Sequence, residues 1–278
     1  MTLPTIKSVD EAELPAITIA GITKRFANGI LALAEINLKV ASGSFVVILG
    51  PSGAGKSTLL RCLNGLETPS AGGVKVGDKS VTRRSLRTIR QDVAMVFQRF
   101  NLVGRLNVMS NVLCGRLGKR STLGSLIYLM RQEDMTIANA ALARVGLLSR
   151  AWDRADTLSG GEQQRIGIAR ALAQKPKVLL ADEPVASLDP ATGEEIMALL
   201  REIQKEGALT LLMSLHQVDF ARRYADRIIG LRDGKIVFDG PPQDLDEIAL
   251  SEIYGRPPSD DKILSKGKNN DALALADI

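Results

Sequence analysis

Apolar and polar positions follow two rhythms along this chain, and the changes of rhythm mark its parts. From Ala16 to Leu49 the pattern is β. Ile36, Leu38 and Val40 are separated by Asn37 and Lys39, the alternation of a half-buried strand. Ala41-Ser-Gly-Ser44 is a turn, and Phe45-Val-Val-Ile-Leu49 is a continuous apolar run, as in a strand buried on both faces. Val74-Lys-Val76, ahead of the turn Gly77-Asp78, and Val93-Ala-Met-Val-Phe97 predict further strands. Between residues 99 and 157 strand patterning gives way to helical spacing, as at Ile137, Ala141, Val145 and Leu148. The β–α alternation then resumes. Val178–Ala181 predicts a strand, and Asp189-Pro190 opens a helix with an N-cap and a first-turn proline. Ile196, Leu199, Leu200 and Ile203 line one face of that helix, which Gly207 stops. Leu209–Met213 and Ile228–Leu231 are strands, and Asp233-Gly234 turns the latter into Lys235–Phe238.

This organisation predicts one domain over residues 16–258 with a helical insertion at about 99–175, between an irregular arm (1–15) and a loose tail (259–278). The 278 residues and 45% hydrophobic content suffice for a sizeable core. Thirty-six basic against 31 acidic side chains leave a net charge of +5, mild enough to suit nucleotides, anionic headgroups or acidic partner surfaces. Cys62 and Cys114 form no metal or disulfide pattern and imply a reducing compartment. No apolar stretch approaches the roughly twenty residues that cross a bilayer. Met1–Asp10 lacks the apolar core of a signal peptide. The expected location is the cytosol, with attachment to a membrane only through something that spans it.

Candidate chemistry begins at Gly50, Pro51, Ser52, Gly53, Ala54, Gly55, Lys56, Ser57 and Thr58, which fit G-x-x-x-x-G-K-[ST]. The run lies between a predicted buried strand and the helical start Leu59-Leu-Arg-Cys-Leu63, the context a phosphate-binding loop needs. Glycines let backbone N–H groups turn inward around phosphate oxygens, and the helix N-terminus adds partial positive charge. Lys56 is placed to reach the β- and γ-phosphates, and the Ser57 hydroxyl to ligate Mg²⁺. Downstream, the strand Val178–Ala181 ends in Asp182-Glu183-Pro184. An acid at that edge suits the metal side of a nucleotide, and a second acid beside it suits a general base for the attacking water. Leu158-Ser159-Gly160-Gly161-Glu162-Gln163-Gln164-Arg165 reads locally as a capped helix start, with Ser159 and Glu162 three apart. His216, the one histidine of the chain, follows the strand Leu209–Met213.

Taken together these strings, in this order, resemble the ATP-binding subunits of ABC transporters, over about Ala16 to Tyr254. The resemblance implies an α/β fold: a P-loop NTPase core, mostly parallel sheet flanked by helices, with an N-terminal antiparallel β subdomain and an inserted helical subdomain. It implies an ATPase using ATP as substrate with Mg²⁺. It assigns Phe26 to stacking on adenine, Gly50–Thr58 to the phosphates and Gln98 to Mg²⁺ and the attacking water. Ser57, Gln98 and Asp182 become the metal side, Glu183 the general base and His216 the residue at the γ-phosphate. Ser159, Gly160, Gly161 and Glu162 would contact ATP held by a second copy of the chain or a related subunit. Ser187 and Asp189 would signal across that head-to-tail pair. Glu162 stands where the family more often has Gln, which puts a negative charge near a phosphate site.

The resemblance also implies transmembrane permease partners, contacted near Arg99–Arg105, and a peripheral position on the cytoplasmic face of the cell membrane. A solute-binding protein is an indirect partner, and nucleic acid is not expected. Phe100–Leu106, Asn111–Gly118, Ala181–Thr192, Leu215–Asp219, Ala221–Arg232 and Phe238–Pro242 resemble the phosphonate-importer branch. That points to uptake of phosphonate or a related oxyanion such as phosphite. Other classes are another importer or exporter ATPase, a non-transport ABC ATPase acting on nucleic acid, or a regulatory module without turnover.

Overall fold

Ten strands form two sheets in the computed structural model, which describes residues 15–119, 132–207 and 209–255. The smaller sheet is antiparallel where β1 (Ile17–Arg25) pairs with β2 (Leu31–Val40) and with β4 (Ala71–Val76), and β5 (Lys79–Ser80) extends it, giving the order β2-β1-β4-β5. The larger sheet consists of β3 (Phe45–Leu49), β6 (Val93–Val96), β7 (Val178–Asp182), β8 (Thr210–Ser214), β9 (Arg227–Arg232) and β10 (Lys235–Gly240). Its order is β10-β9-β3-β8-β7-β6, parallel except for the β9–β10 hairpin.

The helices are α1 (Lys56–Leu63), α2 (Leu86–Asp92), α3 (Val108–Leu113), α4 (Gln132–Arg144), α5 (Gly160–Ala173), α6 (Pro190–Gly207), α7 (Val218–Tyr224) and α8 (Glu247–Tyr254). The expected α/β architecture is therefore present: a mostly parallel sheet with helices, an antiparallel sheet from the N-terminal part, and a helical segment between β6 and β7.

Continuous apolar runs make sense here because the central strands have two dry faces. Val46 and Ile48 of β3, Val178 and Leu180 of β7 and Leu212 of β8 join one core with α1 and the antiparallel sheet. Phe45, Val47, Leu49, Leu179, Ala181, Leu211 and Met213 point the other way, into a core shared with the helical segment, α6 and α8. Burying each such large side chain stabilises the fold by about 1.5–3 kcal/mol. Within the helical segment the buried Arg116 guanidinium bonds Asp134 Oδ1 at 2.8 Å and the Ala173 carbonyl at 2.9 Å, which ties α4 to the end of α5.

Several expectations shift. α4 ends at Arg144, Gly146 adopts a φ of +74°, and Leu148 opens a short 3-10 turn with 47% of its surface exposed. Leu148 therefore does not continue the apolar face of Ile137, Ala141 and Val145. The strand expected at Leu209–Met213 runs one residue later, and that at Val93–Phe97 stops at Val96. Short α2 and β5 have too few residues to show a period. The expected arm lies outside the described residues except for Pro15, as does the tail.

Candidate nucleotide site

β3 delivers the glycine loop, and α1 receives it. Gly55 is the residue before the helix, with a φ of +104°, and a Cβ there would lie 2.4 Å from the Ala32 carbonyl oxygen. At Gly50 a Cβ would lie 2.1 Å from the Leu231 carbonyl oxygen. Only glycine permits this path. Lys56 is buried, and its ammonium donates to the carbonyls of Gly50 (2.7 Å) and Pro51 (3.1 Å). Burial lowers the Lys56 pKa, while Glu183 and then Asp182 act in the opposite direction. The lysine thus stands as the cation of a small anionic cluster.

The acid pair arrives from β7. Asp182 is the last residue of that strand and pairs in register with Ser214, the last of β8. Its Oδ1 accepts from the Ser57 hydroxyl at 2.7 Å and from the Ser214 hydroxyl at 2.9 Å, and Arg61 approaches Oδ2 at 3.9 Å. Glu183 has a φ of +49°, a left-handed conformation uncommon for a residue with a side chain. Its amide is held by the Ser214 carbonyl (3.2 Å) and hydroxyl (3.0 Å). The carboxylate then reaches His216, with Oε1 2.6 Å from Nε2, and lies 4.0 Å from the Lys56 ammonium.

Ser57, Asp182, Glu183, Lys56 and His216 thus converge although they come from β3–α1, β7 and the loop after β8. Gln98 sits exposed just beyond the end of β6, the next strand edge along. Phe26 follows β1 and is half-buried, with the Lys24 ammonium 4.9 Å from its ring centre. Among the described residues no group of three His, Cys, Asp or Glu side chains could hold a metal ion. The donors present are the Ser57 hydroxyl and the Asp182 carboxylate, hard oxygens that suit an ion completed by phosphate and water.

Ser159–Glu162 lies elsewhere. Ser159 caps α5, with a full capping box to Glu162. Among the described residues no hydrogen bond or ion pair joins this segment to Gly50–Thr58. Its neighbours instead lie in and beside the loop of Ser187 and Asp189 and at Phe100. A Cβ at Gly161 would lie 2.5 Å from Thr192 Cγ2, and Gly160 faces Leu188 and Phe100. Ser187 and Asp189 are exposed beside them, and Asp189 Oδ1 caps α6 by accepting from the Thr192 amide at 3.0 Å.

Sequence reasoning missed four contributors. Ser214 orients both acids, and its signal was a lone hydroxyl ending an apolar strand. Arg61 follows Ser57 by one helical turn. Tyr254 of α8 brings its hydroxyl to 3.5 Å from the His216 carbonyl. Arg150 bonds Glu162 Oε1 at 2.9 Å, so the carboxylate expected to stand alone near phosphate is paired.

Sheet order, glycine loop and acid pair define a P-loop NTPase of the α/β class. A family model described as ABC transporter matches residues 33–186. A phosphonates import ATP-binding protein of Thiobacillus denitrificans is 62% identical over 87% of this chain and 94% of its own length. One from Trichodesmium erythraeum is 54% identical, over 86% and 93%. Among solved structures, cbiO1 of Clostridium perfringens, part of an ABC transporter complex, superposes with a TM-score of 0.74 at 29% identity, covering 87% of this chain and 93% of that one. The dimeric bacterial ABC transporter cassette MJ0796 gives 0.71 at 35%, covering 81% and 98%. The chain belongs to the ABC transporter family, as an ATP-binding, ATP-hydrolysing subunit.

Proposed function

We propose that this chain powers an importer of phosphonate or a related phosphorus oxyanion such as phosphite. ATP is sandwiched at a head-to-tail pair of the chain, on the cytoplasmic face of the membrane. The observation that carries the catalytic part is the Glu183 carboxylate, held 2.6 Å from His216 and fixed by Ser214 at the strand edge beside the glycine loop. Glu183 accepts the proton of the attacking water, and His216 holds that carboxylate and faces the γ-phosphate. Amides of Gly50–Thr58 and Lys56 take the phosphates, and Phe26 offers its ring to adenine. Ser57, Asp182 and Gln98 hold Mg²⁺, which when bound neutralises phosphate charge.

Ser159, Gly160, Gly161 and Glu162 complete the partner copy's site, with Ser187 and Asp189 between the two. The separation of that segment from its own chain's loop supports this sharing, as does the dimer of the MJ0796 cassette. Among the described residues no helix is long and apolar enough to cross a membrane, which fits a peripheral subunit contacting permease subunits. A solute-binding protein delivers the solute to them. The solute class rests on the relatives at 62% and 54% identity, both phosphonates import ATP-binding proteins. Reconstitution with the permease and binding subunits in proteoliposomes tests it: ATP-driven uptake of a phosphonate or phosphite is expected. Uptake of an amino acid with neither phosphorus compound transported would overturn it.

A further inference from the structure

The carboxylate of Glu162 sits in the first turn of α5, beside two glycines whose amides have no acceptor within the helix. Its oxygens are divided between two tasks. Oε2 accepts from the Ser159 amide and hydroxyl, both at 2.9 Å, which closes the capping box. That half of the job needs an oxygen acceptor and no charge. Oε1 instead accepts from Arg150 Nη1 at 2.9 Å, across a 12-residue separation in sequence. The same guanidinium bonds Asp153 through Nε. Arg150 closes the 3-10 turn Leu148–Arg150, which lies ahead of α5 and outside the capping box. It is the one ion-pair partner that Glu162 has among the described residues. Bonds donated by Ser159, first from its amide and then from its hydroxyl, hold Glu162 below the usual carboxylate range, and Arg150 adds to this, so the charge is present at neutral pH.

An anion in this turn opposes another anion approaching the same amides. We propose that Arg150 is a positioning residue for the shared ATP site: it pairs the Glu162 carboxylate and weakens its repulsion, so that the Ser159–Gly161 turn accepts the triphosphate of the partner copy. The proposal rests on the reading that this segment completes the partner's site. With Arg150 in place, the Glu162 carboxylate is ion-paired, by a guanidinium it shares with Asp153, and the capping geometry of Ser159 is kept. Without it, Glu162 keeps the cap and repels the incoming phosphate. A neutral amide at the same position keeps the cap and needs no cation. The penalty for losing Arg150 therefore depends on the charge at residue 162, which a purely mechanical brace between the 3-10 turn and α5 would not produce.

The test is a double-mutant cycle in the full chain, with Glu183→Gln present throughout to block turnover. The readout is the ATP concentration at half-maximal dimerisation, measured by sedimentation velocity. Arg150→Ala raises that concentration about three- to fivefold, the upper end of the range for an exposed ion pair. Arg150→Lys recovers most of the loss. In the Glu162→Gln background, Arg150→Ala changes the concentration by less than about twofold, the cycle's additive limit. In the hydrolysing protein the same Arg150→Ala raises KM for ATP, with kcat within about twofold. An equal penalty in both backgrounds, or no penalty in either, overturns the proposal. Gly161→Asp is the control for the underlying reading. Normal ATP-driven dimerisation of that variant removes the shared site itself, whatever Arg150 does.

Discussion

His216 Nε2 and Glu183 Oε1 stand 2.6 Å apart, and the same carboxylate lies 4.0 Å from the Lys56 ammonium. Three parts of the chain far apart in sequence thus meet on one oxygen. The left-handed backbone of Glu183 accompanies this contact. A φ of +49° there is held by hydrogen bonds from its amide to Ser214, and it turns the carboxylate out of the strand direction toward the loop. Strain of this kind persists where the surroundings over-determine it.

Glu183→Gln keeps the shape and the His216 contact but removes the proposed proton acceptor. Turnover is expected to fall about 10²- to 10⁴-fold, while equilibrium ATP binding stays within a few-fold. His216→Ala leaves the carboxylate without its orienting partner and lowers kcat as well. Because the two act as a unit, the double variant loses little beyond Glu183→Gln alone. Phosphate-release kinetics and nucleotide calorimetry on the four proteins check this. Undiminished hydrolysis by Glu183→Gln would remove that residue as the base.

Two glycines of the phosphate loop separate steric need from backbone need. Gly55→Ala forces a Cβ to 2.4 Å from the Ala32 carbonyl at a φ of +104°. Overpacking of this sort costs about 1–3 kcal/mol. In a domain of this size that lowers Tm by about 2–4 °C per kcal/mol. ATP affinity should fall too, since the loop amides must move. Gly53, at a φ of +82°, has nothing within 4 Å of its would-be Cβ, so Gly53→Ala carries only the left-handed penalty of about 1–2 kcal/mol. Calorimetric melting of both variants decides it, and equal losses would mean that the Ala32 contact is relieved without cost.

What was legible in the chain follows from which forces act locally. Phe45–Leu49 and Val178–Ala181 read as buried strands because a sheet covered on both faces demands unbroken apolar runs. The loop from Gly50 to Thr58 read as a phosphate cradle because its glycines and lysine have few other uses together. Ser214, Arg61, Tyr254 and Arg150 were not legible, since each gains its partner only when distant elements are brought side by side. The register of Asp182 with Ser214 is a property of strand order, which periodicity does not encode. Leu148 misled for a local reason: its spacing continued a helix that Gly146 had already ended.

Cys62 sets a pH dependence of stability. It is fully buried in α1, and desolvation pushes its thiol from 9.0 up to about 11. A group whose folded pKa is raised contributes stability below its unfolded value, and that contribution is lost as pH climbs toward the folded value. The window is therefore about pH 9 to 11, and the full loss is at most about 3 kcal/mol for a shift of this size. Cys62→Ala lacks the titrating thiol. Urea unfolding at pH 8 and pH 10.5 should show a smaller alkaline loss in the variant than in the parent, although the variant starts lower because of the cavity. Parallel losses in the two proteins would show that the thiol contributes nothing to the slope.

The proposed sharing of the site between two copies has a kinetic consequence that needs no variant. Among the described residues Ser159–Glu162 makes no hydrogen bond or ion pair to Gly50–Thr58 of its own chain, so under the proposed sharing a solitary copy holds ATP with only one side of the site complete. Hydrolysis then requires encounter of two ATP-loaded copies. Below the dissociation constant of that pair the rate varies with the square of protein concentration, and well above it the rate becomes linear. Phosphate release from the isolated subunit, followed over a dilution series at saturating ATP, should bend upward at low protein. The same series with Gly161→Asp should stay near background throughout. A rate strictly proportional to concentration at dilutions where sedimentation finds only monomer would mean that one copy is catalytically complete, and the trans arrangement would have to be abandoned.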